Sequence, residues 1–149
     1  MSEPSEPTEI VRIERTFAAP PDVVFDAWTS VEVLKRWWHA ETDWETPFAL
    51  VDLRVGGAVR VTMRNPADGT EYGGSGEYTI IDRPRRLAFT WTWDGDDETR
   101  RQLIEVEFLD EGERTTVILT NHGLPKGEVG DYRDGWNNSF DNLAGVLRS

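Results

Sequence analysis

Few side chains in this 149-residue chain are equipped to make or break bonds, and their spacing narrows the chemistry further. The two histidines, His39 and His122, have no carboxylate or hydroxyl at an obvious pairing distance along the chain. Each therefore reads as a surface or loop histidine rather than a general base. Cysteine is absent, which removes disulfides, thiolate metal sites and a cysteine nucleophile together. Gly74-Ser75-Gly76 lacks the full pattern of a nucleophile elbow. The longer Gly73-Gly74-Ser75-Gly76 run has neither the lysine nor the strand-loop-helix setting of a phosphate-binding loop. Asp94-Gly95-Asp96-Asp97-Glu98 concentrates carboxylates without the ordered spacing of a calcium loop, so it reads as a solvated turn. No catalytic residue, metal or cofactor is expected.

Aromatic side chains are what remains. Trp91 and Trp93 share one parity in an alternating stretch, while Trp136 and Phe140 share one face of a helical stretch. If both faces point inward, rings from a sheet and a helix oppose one another. Such rings either fill the interior or line a cavity, since each buries ~150–250 Å². In the cavity reading Trp37 seals the mouth, and Asn121, Tyr78 or Arg54 supplies a polar handle. An inward arginine would suit a ligand bearing a carboxylate. The candidate ligand-binding set is thus Trp37, Arg54, Tyr78, Trp91, Trp93, Asn121, Trp136 and Phe140.

The elements that must position these residues are legible from periodicity. Residues 9–17 alternate, with Val11, Ile13 and Phe17 on one side. Pro20-Pro21 ends that strand and opens a short helix carrying Val24, Phe25 and Trp28. Ser30 is a plausible N-cap for a second short helix that ends at Trp37-Trp38. Six strands follow, over residues 48–55, 58–64, 71–81, 87–93, 101–109 and 115–121, separated by glycine-, proline- and aspartate-rich turns. The glycines at 73, 74 and 76 mark strong bending or a close backbone approach. Finally Val129, Tyr132, Trp136, Phe140, Leu143 and Leu147 recur at steps of three and four, one broad face of a long helix. Residues 1–8 read as a disordered acidic tail and residues 9–149 as a single domain.

Composition sets the outer limits. The formal net charge of −12 argues against nucleic acid as a partner, because a polyanion is repelled. The basic clusters Arg83, Arg85, Arg86 and Arg100, Arg101 lie at strand ends beside acids and read as solvated edge charges. No apolar run is long enough for a membrane span, and the acidic start does not resemble a signal peptide. A soluble cytoplasmic protein is expected, as a monomer or homodimer.

The order of elements, with particular words in it, resembles the SRPBCC or START-like superfamily. More narrowly it is similar to the branch named after the C-terminal domain of the activator of Hsp90 ATPase. The words are Phe17-Ala18-Ala19-Pro20, Val24-Phe25-Asp26-Ala27-Trp28, Trp37-Trp38 and Asp52-Leu53-Arg54-Val55-Gly56-Gly57. After them come Gly76-Glu77-Tyr78, Arg86-Leu87-Ala88-Phe89-Thr90-Trp91, Val106-Glu107-Phe108, Gly123-Leu124-Pro125 and Gly135-Trp136. The resemblance implies an α+β helix-grip fold like that of Bet v 1, in which a seven-stranded curved antiparallel sheet wraps a long C-terminal helix. Two short helices after the first strand close one end. That branch usually carries a histidine ahead of Gly-Leu-Pro. Here Asn121 holds that register and His122 comes one residue later, which turns its imidazole to the opposite face.

Fold does not name function, and three readings follow. The first is a non-enzymatic module binding a small hydrophobic or aromatic ligand between sheet and C-terminal helix. The second, implied by the family resemblance alone, is a cochaperone-like domain whose partner is a chaperone. The third is a cyclase- or hydrolase-type enzyme using the same cavity.

Overall fold

The computed structural model describes residues 8–148. The tail expected over residues 1–8 falls mostly outside these, and its last residue, Thr8, already belongs to the first strand. Strand β1 (Thr8–Phe17) is followed by helices α1 (Pro21–Thr29) and α2 (Val31–Trp37). Strands β2 (Glu45–Val51), β3 (Ala58–Arg64), β4 (Glu71–Asp82), β5 (Arg86–Trp93), β6 (Gln102–Asp110) and β7 (Thr115–Pro125) come next. Helix α3 (Val129–Arg148) ends the chain. The seven strands form one antiparallel sheet in the order β1-β7-β6-β5-β4-β3-β2. Consecutive strands from β2 to β7 are neighbours, and β1 joins the far edge by pairing with β7. Helices α1 and α2 therefore carry the chain from one edge of the sheet to the other.

Alternation along the strands decides what faces the core. Val11, Ile13 and Phe17 on β1 are buried with Val59, Val61 and Met63 on β3, Phe89 and Trp91 on β5, Ile104, Val106 and Phe108 on β6, and Val117 and Leu119 on β7. Helix α3 lays Trp136, Phe140 and Leu143 on that face, flanked by the half-buried Val129, Tyr132 and Leu147. This is the helix grip that the resemblance implies, and the face turned to the sheet is the one the periodicity marks. Because α3 contains Gly130, Gly135 and Gly145, each ~1 kcal/mol poorer than alanine as a helix former, packing must hold it.

The grip is also polar. From α3, Asn138 Nδ2 donates to the Ala40 carbonyl (2.9 Å), Ser139 Oγ to that of His39 (2.8 Å) and Asn142 Nδ2 to that of Trp37 (3.3 Å). Carbonyls at a helix C-terminus have no partner within their own helix. Here the side chains of α3 supply partners at and just beyond the end of α2. Arg15 on β1 adds an ion pair to Asp141 at 2.6 Å.

Three strand boundaries depart from the sequence reading by more than one residue, the first being the start of β2 at Glu45 rather than residue 48. Strand β2 ends at Val51, and residues 52–57 form a turn in which Gly56 has φ +86°. Leu53 and Val55 continue the apolar alternation but stand exposed, because the reversal removes their neighbours. Strand β7 runs past Asn121 to Pro125, since β1 pairs with it along its whole length, from Thr8 opposite Pro125 to Phe17 opposite Thr115. Inside β4 the glycines do mark close approach. A Cβ at Gly74 would lie 2.5 Å from the Trp91 ring, so glycine lets that indole rest on the strand backbone.

Candidate functional site

A cavity of about 170 Å³ lies between α3 and the middle of the sheet. Trp38 and Ala40 close it from the segment after α2, Met63 comes from β3, and Trp91 and Trp93 from β5. Gln102 and Ile104 rise from β6, Asn121 from β7, and Tyr132, Trp136 and Ser139 descend from α3. Four of the lining side chains are indoles. Trp38 packs at 5.2 Å from Trp91 and 5.3 Å from Trp136, and Trp93 stands edge-on to Trp91 at 5.4 Å. Among the described residues no lysine, arginine or histidine lines the space, and Asp131 is the only carboxylate that does.

A chain of polar groups crosses this apolar setting. Trp136 Nε1 donates to Asn121 Oδ1 (3.0 Å), and Asn121 Nδ2 donates to Gln102 Oε1 (3.0 Å). Gln102 Nε2 then donates to the Tyr132 hydroxyl (2.9 Å), which also accepts from Trp93 Nε1 at 2.9 Å. Asn121 and Gln102 are almost wholly buried, so these bonds replace the water that such groups lose on folding.

Of the residues singled out from sequence, Trp91, Trp93, Asn121 and Trp136 meet at this cavity. The other four lie elsewhere. Phe140 packs edge-on against Phe17 in the solid core, and Trp37 is fully buried with its Nε1 donating to the Ala27 carbonyl (2.9 Å). Tyr78 is buried against Phe89 with no hydrogen-bond partner for its hydroxyl among the described residues, and burial pushes its phenol far above the ordinary range. Arg54 points to solvent in the turn after β2, paired with Asp52 at 2.9 Å. The cavity wall takes Trp38 rather than Trp37. Neither indole turns to solvent, because Trp38 leaves helical geometry as the C-cap of α2 (φ −81°, ψ 83°) and its ring stacks on Trp37.

Gln102 is absent from the set expected from sequence, and Tyr132 enters there only as part of the apolar helix face. The signal for Gln102 was its parity: it shares the inward side of Ile104, Val106 and Phe108.

The histidines correct the surface reading in part. His122 faces away from the core, half-exposed, with Nε2 against Glu105 Oε1 at 2.5 Å, while Asn121 points inward as the strand alternation requires. His39, by contrast, is buried. Its Nδ1 lies 3.0 Å from Thr46 Oγ1, and because that hydroxyl donates to the Trp38 carbonyl, Nδ1 carries the proton. Desolvation lowers the His39 pKa from its usual 6.5, against a smaller opposing pull from Glu45. The unfolded chain then binds more protons just below pH 6.5 than the folded one. Stability contributed by neutral His39 is complete above that point and is lost as the pH falls toward the depressed value. Urea unfolding followed between about pH 7 and pH 5 should show a shallower loss for His39→Asn than for the wild type. Equal slopes would mean that the imidazole is not held neutral.

Comparison with known proteins places this architecture. The family described as "Activator of Hsp90 ATPase homolog 1-like protein" matches residues 18–148, nearly the whole chain. The chain belongs to that family. Activator of 90 kDa heat shock protein ATPase homolog 1 from mouse, and its human counterpart, are each 23% identical over 134 residues, 87% of this chain. That stretch is 34% of either relative, so the chain spans about a third of their length.

Among solved structures of this fold, a Chromobacterium violaceum protein superimposes with a TM-score of 0.84 at 22% identity, covering 95% of this chain and 99% of that one. A family member from Silicibacter pomeroyi is 29% identical with a TM-score of 0.80, covering 94% and 98%. An HSP90 activator from Plasmodium falciparum is 25% identical with a TM-score of 0.74, covering 93% and 95%. Among the described residues no group of three or more potential ligands could hold a metal ion, and no helix is long and apolar enough to cross a membrane.

Proposed function

We propose that this protein binds a small, predominantly apolar aromatic molecule in the cavity between α3 and the sheet. One observation carries the reading: indole walls border a space of about 170 Å³ along which a chain of polar groups runs. A ligand site of this type combines apolar walls with a few oriented polar groups. An apolar cavity of ~150 Å³ is known to accept benzene, which sets the scale as one aromatic ring with a small substituent.

The test is a titration with ethylbenzene followed by indole N–H resonances and tryptophan fluorescence. The Trp91, Trp93 and Trp136 signals should move saturably, while Trp44, outside the lining, should not. Gly135→Leu places bulk in the cavity wall beside Ala40, where even a Cβ would be in contact at 3.7 Å, and should abolish those shifts. Unmoved lining resonances at saturating ethylbenzene would overturn the reading.

The names of the relatives favour a second role, contact with an Hsp90-type chaperone. Phe48 and Leu50 on edge strand β2, with Leu53 and Val55 in the following turn, give an exposed apolar surface suited to a protein partner. Saturable binding to Hsp90 with stimulated ATP hydrolysis, weakened by Leu50→Asp but not by Gly135→Leu, would separate this role from ligand binding.

A further inference from the structure

The direction of every hydrogen bond in this polar chain follows from its ends. Indole N–H is a donor only, and a tryptophan stands at each terminus of the chain. Because Trp136 donates, Asn121 must present its oxygen to it and its amide nitrogen to Gln102. Gln102 in turn must receive with Oε1 and pass a proton on with Nε2 to Tyr132. Trp93 donates to the same phenolic oxygen from its other side. Two donors therefore converge on Tyr132, and a hydroxyl offers two acceptor positions and one donor. Both acceptor positions are used, and no acceptor for the hydroxyl proton is present among the described residues.

We infer that Tyr132 directs that proton into the cavity as a hydrogen-bond donor, and that the molecule bound there is a neutral one-ring aromatic carrying a carbonyl oxygen. The inference rests on the ligand-binding reading above and adds the polarity of the ligand. Three features narrow the class. Gln102, Trp93 and Tyr132 all line the cavity, and the hydroxyl is the point on which the other two converge. The volume accommodates one ring and a small substituent. Among the described residues the lining holds no cation, and its one carboxylate is that of Asp131, so a benzoate-like anion would lose its hydration without compensation. A neutral carbonyl needs only one donor, and the site has one to give.

Acetophenone and ethylbenzene have nearly the same shape and differ in the carbonyl. Wild-type protein should bind acetophenone on the order of tenfold more tightly than ethylbenzene, and benzoate more weakly than either. Tyr132→Phe should still bind ethylbenzene while losing the preference. That variant also leaves Gln102 and Trp93 without their acceptor and can unsettle the fold, so a second measurement uses the wild type alone. The carbonyl stretch of bound acetophenone should move to lower wavenumber than in an apolar solvent, as hydrogen bonding requires. Tight ethylbenzene binding with no carbonyl preference and no such shift would overturn the donor role while leaving the binding reading intact. Failure of both molecules to bind would overturn the two together.

Discussion

Trp28→Ala is expected to cost ~3–5 kcal/mol, the range for removing a large aromatic from a core that cannot collapse around the space. The indole projects from α1 into the centre of the molecule, almost wholly buried. It meets Trp37 at 4.7 Å, Trp136 at 5.9 Å, Trp38 at 6.0 Å, Phe140 at 6.1 Å and Phe108 at 6.4 Å. These rings come from α2 and its C-cap, α3 and β6, so no single element can shift to refill the gap. Equilibrium urea unfolding is the measurement, and a loss below ~1 kcal/mol would show that the cluster is loose.

Trp28→Phe provides the contrast. Its ring keeps much of the packing, and the substitution removes an N–H that is buried with no partner among the described residues. Leaving such a donor unsatisfied costs ~1–3 kcal/mol. The phenylalanine variant should therefore lose roughly half as much as the alanine variant or less.

The second large effect concerns a residue with no side chain. A Cβ at Gly76 would stand 1.7 Å from the Thr90 carbonyl oxygen and 2.5 Å from its carbon. Both are backbone atoms of the neighbouring strand, so β4 and β5 would have to separate where Trp91 is positioned. Gly76→Ala should cost at least ~3 kcal/mol, the upper end for overpacking, and should disturb the cavity wall as well. Gly145→Ala makes the same chemical change on α3, where a Cβ meets nothing within 4 Å. It should stabilise the protein by ~0.5–1 kcal/mol through helix propensity. Thermal or urea unfolding of the pair should thus give opposite signs, and equal effects would contradict the close strand approach.

These contrasts show how far one-dimensional reasoning reaches. Periodicity alone marks Trp136, Phe140 and Leu143 as the inner face of α3, and Ile104, Val106 and Phe108 as the inner face of β6. It does so because a buried face imposes its own repeat, 3.6 residues for a helix and two for a strand. The same parity separates inward Asn121 from outward His122. Local turn chemistry likewise locates the β3–β4 hairpin, where Asn65 and Asp68 side chains accept backbone N–H groups at 3.0 and 2.9 Å.

What a repeat cannot carry is the partner across the core. Residues 52–57 keep strand-like alternation yet turn, because the hydrogen bond from Asp52 N to Ala58 O closes a reversal there (2.8 Å). His39 is buried because Thr46, seven residues on, and Ser139 of α3, a hundred residues on, converge on it. Gln102 and Tyr132 are thirty residues apart, and only the pairing of sheet and helix makes their polar atoms meet. Residue types and spacing thus determined the strand order of burial, the terminal helix and its aromatic face. The placement of Trp38 rather than Trp37 at the cavity, and the convergence of two donors on one phenol, were decided by tertiary structure. Hydrogen-bond direction depends on which groups are neighbours in space, and the chain order alone does not contain that information.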